Sequence, residues 1–345
     1  MPYSGASLLN PVPLYPLRFE PLYQYRLWGG RRLDDVFAAA LPGKDLIGEA
    51  WLLSDRDEHS SVVANGPLKG MTLGRLVKQC ADRLFGTGRG GFKRFPLLLK
   101  FLDARTALSV QVHPSDRHID CLPAGESGKT EAWVVLAAGR EARVYAGLTP
   151  NTTPGLLREA LANGSIIDHL ASFVPSAGDA IFIPAGTVHS LRDVVIFEVQ
   201  ENSNVTFRLY DWNHVDPKTL EHRSLQIEQA MACIDFMQGA ISPVVPLVEK
   251  LEPLRERLFD CEQFRLWRLR SRSPFTVGSA GTPSVLVCIA GNGYLAQSDA
   301  EFPFSAGDVL LLPAEVGACL CHASGNVELL EISLPLDATS PVSSP

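Results

Sequence analysis

The chain has 345 residues, 46% of them hydrophobic and 20% charged, and a formal net charge of −7. That length allows two domains, each able to bury a core. The acidic balance, with no basic stripe or tail, argues against nucleic acid and anionic membrane as partners, and an anionic small substrate would need a local basic pocket.

The opening stretch MPYSGASLLNPVPLYPL lacks the basic lead and continuous apolar run of a secretory signal, and no later run is long enough to span a bilayer. The cytoplasm is the expected location. Seven scattered cysteines without a CxxC pair fit reduced thiols. LIGEAWLLS (46–54) and SSVVA (60–64) read as strands. MTLGRLVKQCADRLF (71–85) places Met71, Leu73, Leu76, Val77 and Leu84 on a helical stripe. GTGRGG (86–91) lacks the Lys-Ser/Thr of a phosphate loop and the strand-to-helix setting of a dinucleotide loop, so it reads as a plain flexible loop.

FPLLLKFLDA, ALSVQVH and EAWVVLAA follow as strands. PGLLREALANGSIIDHL (154–170) is helical, with Pro154 near its start and a break at Gly164. DAIFIPAG, VVIFEVQE and VTFRLYDW are strand-like, and RSLQIEQAMACI (223–234) is helical. ISPVVPLVEKLEP (241–253) carries three prolines and is the expected boundary between domains 1–240 and 241–345. FRLWRLR, SVLVCIAG, DVLLLPA and NVELLEISL are strands again, and the tail after Leu336 is expected to fray.

An internal repeat organises this mainly β pattern. SAGDAIFIPAGTVHSL (176–191) aligns without gaps on SAGDVLLLPAEVGACL (305–320), with the same residue at Ser, Ala, Gly, Asp, Pro, Ala and Leu positions. Two copies of one β-unit suggest two related barrel-like domains. They differ where it matters, since His189 of the first copy is matched by Ala318 in the second. Aligning AAG (137–139) with IAG (289–291) puts Pro283 opposite Glu131, so the second domain is expected to lack a site and to have a structural or pocket-covering role.

In SVQVHPSD (109–116) the strand alternation puts Ser109, Gln111 and His113 on one face and the two valines on the other. Glu131 opens the next strand after the turn GESGKTE, and His189 follows Pro184-Ala185-Gly186. Taken singly, each has an ordinary explanation as a solvated or hydrogen-bonded residue. Together, two imidazoles, a carboxylate and an amide oxygen form a mixed N/O set that suits zinc, and also Fe(II), Mn or Co.

SVQVHPSD, GKTEAWVVL, FIPAGTVHSL and QENSNVTFRLYDW, in this order, resemble the class I mannose-6-phosphate isomerases of the cupin superfamily, in their short bacterial form. The likeness runs from about Tyr25 to about Ala230 and more weakly beyond. It implies two cupin-like jelly-roll barrels, one Zn2+ per chain and a sugar-phosphate substrate, with mannose 6-phosphate and fructose 6-phosphate interconverted through a cis-enediol. It implies Gln111, His113, Glu131 and His189 as metal ligands, Arg208 as catalytic and Lys129 at the rim of the site. Lys100 and Glu201 match pocket-lining residues, and Ser109 shares the ligand face.

Lys129 could steer the phosphate or, with a depressed pKa, assist proton transfer, and Glu201 is a competing candidate for the base. Asn204 departs from the Asp frequent in relatives and is given no proton-transfer role. Two other readings stand beside the isomerase. One is another cupin metalloenzyme, which would have no use for the basic Arg208 and Lys129. The other is a non-catalytic sugar-phosphate binder.

Overall fold

The computed structural model describes residues 12–334, apart from 38, 39, 58 and 88–90. The N-terminal stretch read above, the core of GTGRGG and the tail beyond Leu336 therefore lie wholly or partly outside the described residues. Strands dominate, with three α-helices among the described residues, Leu73–Phe85, Pro154–Asn163 and Ile227–Cys233. Each expected helix is present, but the one expected over 154–170 is α-helical only to Asn163, with a 3-10 turn over Ile166–His169 past the break at Gly164. The hydroxyls of Thr72 and Thr153 cap the first two by accepting the Arg75 and Leu156 amides, and the second stops at Gly164 in the left-handed region. No helix among the described residues is long and apolar enough to cross a membrane.

A nine-stranded sheet carries the first barrel. Its spine runs Ala180–Ile183, Glu131–Leu148, His189–Glu201, Leu97–Ala104, Ile47–Leu53 and Leu22–Gly30, all antiparallel, with Val110–Val112 pairing both His189 and Phe207–Tyr210. The expected strand at 60–64 is broken up, with Ser60 ending the two-residue strand His59–Ser60 and isolated bridges at Val62 and Val63. EAWVVLAA proves to be the start of an 18-residue strand, Glu131–Leu148.

Both faces of this sheet are buried, and the two-residue period sorts its side chains. Leu97, Leu99, Phe101, Ala132, Val134, Val195, Phe197 and Val199 point to one side. There they share a single apolar core with Leu258, Phe264, Leu266, Leu311 and Ile332 of the second barrel. The residues between them, Lys100, Glu131, Trp133 and Glu198, point into the first barrel and line its cavity. One face of the sheet is therefore structural and the other carries the polar groups.

The second barrel is a seven-stranded sheet facing a four-stranded one, with Leu286, Leu310, Leu312 and Leu329 of the former packed on Phe275, Leu295, Cys319 and Cys321 of the latter. The fold is thus mainly β, two cupin-like barrels with a few short helices. The strand Leu247–Leu251 runs through the Pro-rich segment, and the N-terminal Leu17–Arg18 pairs with Leu311 and Leu310 at the sheet's other edge.

The sequence repeat survives to the level of single hydrogen bonds. In the first copy the Asp179 carboxylate accepts the Ser176 amide at 2.8 Å, and in the second Asp308 accepts Ser305 at 2.8 Å. Gly178 N–H donates to Val135 and Gly307 N–H to Cys288, both at 2.8 Å, with φ of 93° and 90° that only glycine adopts freely. Pairing corrects one expectation. Ile183 faces Glu131, and the matching Leu312 faces Ser284, so Ser284 rather than Pro283 is the counterpart of Glu131. Both copies bulge at the equivalent place, Leu136 and Ile289, and the turn beyond reaches its glycine one residue later in the first copy, which displaces the AAG and IAG alignment by one residue.

Candidate active site

His113 follows strand Val110–Val112, Glu131 opens its strand and His189 opens another, so three strand ends converge. The ligand atoms of His113, Glu131 and His189 lie within 4.8 Å of one another, and all three residues are buried. Each imidazole Nε2 is 3.4 Å from a different oxygen of Glu131. The other ring nitrogens are pinned from behind. His113 Nδ1 donates to the Val205 carbonyl at 2.8 Å and His189 Nδ1 to the Thr187 carbonyl at 2.9 Å. Those bonds fix the tautomer and turn both Nε2 lone pairs toward the carboxylate.

Burial first, and then the nearby Lys129, hold His113 down at about 3, so its imidazole is neutral at neutral pH. His189 is lowered by burial as well. Glu131 is held well below the usual carboxylate range, because Lys129 and the imidazoles outweigh a large burial penalty. Its Oε1 is buried with no hydrogen-bond donor among the described residues.

Gln111 is brought to the same place, its side-chain nitrogen 3.1 Å from His189 Nε2. Its oxygen accepts from Ser109 Oγ at 3.1 Å. A half-turn of the amide exchanges the two atoms and presents the oxygen instead. Ser109 is buried behind Gln111 and is not part of the cavity wall, so it acts on the amide and not on the pocket.

The cavity, about 440 Å³, is lined by Gln111, Lys129, Glu131, Lys100, Glu198 and Arg208 among others, and every lining residue comes from the first barrel. The second barrel packs behind the sheet and does not cover the pocket. Lys129 is not at the rim. It is buried, with Nζ 2.5 Å from Glu131 and 2.9 Å from His113 Nε2. Nor is its pKa depressed, since Glu131, Glu198 and Glu49 outweigh the burial that opposes the charge. Lys100 donates to Gln200 Oε1 at 2.6 Å and lies 3.1 Å from Glu198.

Arg208 pairs across the strands with Gln111. Its side chain has no hydrogen-bond or ion-pair partner among the described residues, and its Nε is buried and unsatisfied. Asp211, three residues on, is taken by Arg223 at 2.9 Å. Burial and then Arg223 lower the Arg208 pKa from its ordinary value.

Glu201 does not line the cavity. Its carboxylate accepts the Thr130 amide at 2.7 Å on the sheet's other side. Burial pushes it up to about 7, against the Thr130 hydrogen bond. A raised acid binds more protons folded than unfolded, so stability falls as pH rises from about 4.5 through 7. Glu201→Gln keeps an oxygen for the Thr130 amide. It should melt higher than the parent at pH 8, by on the order of 3 kcal/mol at most, with the gap closing toward pH 4.5; a constant gap across that range would remove titration as its cause.

Sequence reasoning missed Glu198, Glu49, Arg26 and Asp216, all cavity-lining. Glu198 stands directly across from Lys100, is raised by burial, and accepts from Trp133 Nε1 at 3.1 Å. Its other oxygen faces Lys100 without hydrogen-bond geometry. Glu49 accepts Arg26 at 2.9 Å and Trp51 Nε1 at 2.7 Å. Burial opposes its charge, yet Arg26 and Lys100 bring it to about 2. The alternation in VVIFEVQE, with Glu198 and Gln200 on one face, was the available signal for Glu198.

Fold and site together define a cupin with one buried imidazole–carboxylate cluster opening on a basic cavity. The profile of the phosphomannose isomerase type I catalytic domain matches residues 17–129. The probable mannose-6-phosphate isomerase GmuF of Bacillus subtilis is 33% identical over 306 residues, covering 88% of this chain and 95% of the relative. A mannose-6-phosphate isomerase of Streptococcus mutans is 31% identical, covering 86% and 92%. A crystal structure of the Bacillus subtilis mannose 6-phosphate isomerase superposes with a TM-score of 0.85 at 27% identity, over 92% of this chain and 99% of that one. The chain belongs to the type I mannose-6-phosphate isomerases and is an isomerase.

Proposed function

We propose that this chain interconverts mannose 6-phosphate and fructose 6-phosphate with one zinc ion per chain, through a cis-enediol, in the catalytic domain 1–240. The observation that carries this reading is the juxtaposition of a buried His113–Glu131–His189 cluster with an unpartnered guanidinium, Arg208, in one cavity. The orphaned Glu131 oxygen and two lone pairs pinned toward it are the donor set of a divalent cation, and Gln111 would give a fourth ligand. When bound, such an ion supplies Lewis acidity toward a substrate oxygen.

The protein's own groups divide the remaining work. Arg208 holds a fixed positive charge beside the cluster, where negative charge develops on the sugar oxygens in a poorly solvated cavity. Lys129 stays protonated and is placed to donate to those oxygens. Glu198 takes and returns the proton that moves between C2 and C1. Its place in the cavity, with an oxygen that lacks a hydrogen bond, supports this role over Glu201, whose pKa suits a base but which does not line the cavity. Lys100 neutralises Glu198 and Glu49 and contributes to substrate binding. Ser109 holds the Gln111 amide. Arg26 and Arg223 add positive charge at the wall for a dianionic phosphate, and the soluble substrate is met in the cytoplasm.

The test is a coupled assay on purified protein given mannose 6-phosphate, read as fructose 6-phosphate formed. Turnover should vanish with a chelator and return with zinc. A metal-loaded protein that binds the sugar phosphate and forms no product would replace the isomerase with a binding protein.

A further inference from the structure

Two of the seven cysteines meet across the chain, at the back of the site. Cys121 ends the single 3-10 turn Ile119–Cys121, on the segment running from His113 to Lys129. Cys233 ends the helix Ile227–Cys233. Turn and helix pack on each other, within one apolar cluster where Cys233 is buried and Cys121 half-buried. That packing makes the two side chains neighbours, and both thiols are free.

Both partners are tied to the ligand set. Just past Cys233, Asp235 N–H donates to the Gly186 carbonyl at 2.9 Å, and Gly186 N–H donates to the His113 carbonyl at 2.8 Å. A side chain at Gly186 would meet the Cys233 carbonyl at 3.1 Å. On the other side, the segment bearing Cys121 continues to Lys129, whose amide donates to Pro114 at 2.9 Å. By contrast, Cys288, Cys319 and Cys321 are enclosed in the second barrel's core, out of reach of a reagent in solution.

We propose that Cys121 and Cys233 are a reactive dithiol that a low-molecular-weight disulfide, such as glutathione disulfide, oxidises to an intramolecular bridge, fastening the segment that presents Lys129 to the helix that backs His113. Cys121 is the accessible thiol. As thiolate it attacks one sulfur of the reagent, the reagent's S–S bond breaks, and one thiolate leaves and takes up a proton. Cys233 then loses its proton to water and attacks the Cys121 sulfur. The protein S–S bond forms, and the second reagent thiol departs. Two protein thiols have lost two electrons and two protons, and one small disulfide has become two thiols. Burial first, then the neighbouring Cys121, push the Cys233 thiol up to about 12, so the second step is the slow one and quickens as pH rises.

The experiment treats the folded full-length chain with glutathione disulfide, blocks remaining thiols with an alkylating agent, and reads whole-protein mass and peptides. Before alkylation the expected product is lighter than the untreated chain by two hydrogens; after it, no alkyl group is found on Cys121 or Cys233, and digestion gives a disulfide-linked peptide pair holding both, which dithiothreitol separates. Cys233→Ser should stop with glutathione on Cys121, and Cys121→Ser should give neither product. In the bridged protein, hydrogen exchange at amides of residues 114–128 should slow several-fold. A parent protein that ends with a persistent glutathione adduct on Cys121 and no linked peptides overturns the proposal, and so does one in which both thiols remain alkylatable. Should Cys233→Ser fail to fold, the linked peptides of the parent protein decide alone.

Discussion

Glu131→Gln is expected to release the metal and to lower kcat/KM by about 10³-fold, the scale of several kcal/mol that a metal site contributes. The side chain keeps its shape, so the loss is one of charge. The carboxylate stands 3.4 Å from both imidazole nitrogens and 2.5 Å from the Lys129 ammonium. A neutral amide could not balance a divalent cation, and it would leave Lys129 as a buried charge without its nearest counter-ion. The variant should therefore also melt lower, by about 3 kcal/mol. Metal content by elemental analysis, turnover and a melting curve check the three parts separately. A variant that retains a full equivalent of zinc and its turnover would remove Glu131 from the ligand set.

Arg208→Ala should behave in the opposite way with respect to stability. We expect kcat to fall by about 10²- to 10³-fold, the range for loss of one preorganised charge at a developing oxyanion, with a smaller change in KM. Arg208→Lys should not restore it, because a point charge on a flexible stem does not reproduce a planar fork. Yet the melting temperature of the alanine variant should not fall. The guanidinium has no partner among the described residues, its Nε is buried and unsatisfied, and Arg223 repels it. Removing such a group relieves a cost. A pure KM effect would assign Arg208 to phosphate binding alone, and a marked loss of stability would make it structural.

What could be read in the sequence was what short-range periodicity carries. Gln111 and His113 share a strand face two residues apart, and Glu131 and His189 stand at strand starts beside turn signals, so the cluster was visible before any coordinates. The repeated Ser-Ala-Gly-Asp turn announced two barrels. What escaped lies where the two-residue count breaks. The strand His189–Glu201 carries an irregularity at Asp193, so counting from His189 does not tell which of Glu198 and Glu201 faces inward. A turn one residue longer in the first copy, past a bulge that both copies share, moved the counterpart of Glu131 from Pro283 to Ser284. Glu49 and Arg26 lie on strands at the far edge of the sheet, joined to the site only by pairing distant in sequence. Lys129 was placed from its loop, and its burial follows from the carboxylates folded around it.

The two borders of the seven-stranded sheet bear on how this molecule survives at high concentration. At one border Leu17–Arg18 occupies the hydrogen-bonding groups of Leu310 and Leu311. At the other, Leu247–Leu251 exposes Leu247, Val248 and Leu251 to solvent. The exposed border is guarded by the charged Glu249 and Lys250, by a register shift between Val248 and Lys250, and by Pro253 just past its end. The other is covered by the strand Leu17–Arg18. Trimming through Arg18 would bare the strand Val309–Leu312, flanked by Asp308 and Pro313 but with no charge within it, and the first symptom of an N-terminal truncation would be self-association and poor recovery, before any loss of catalysis.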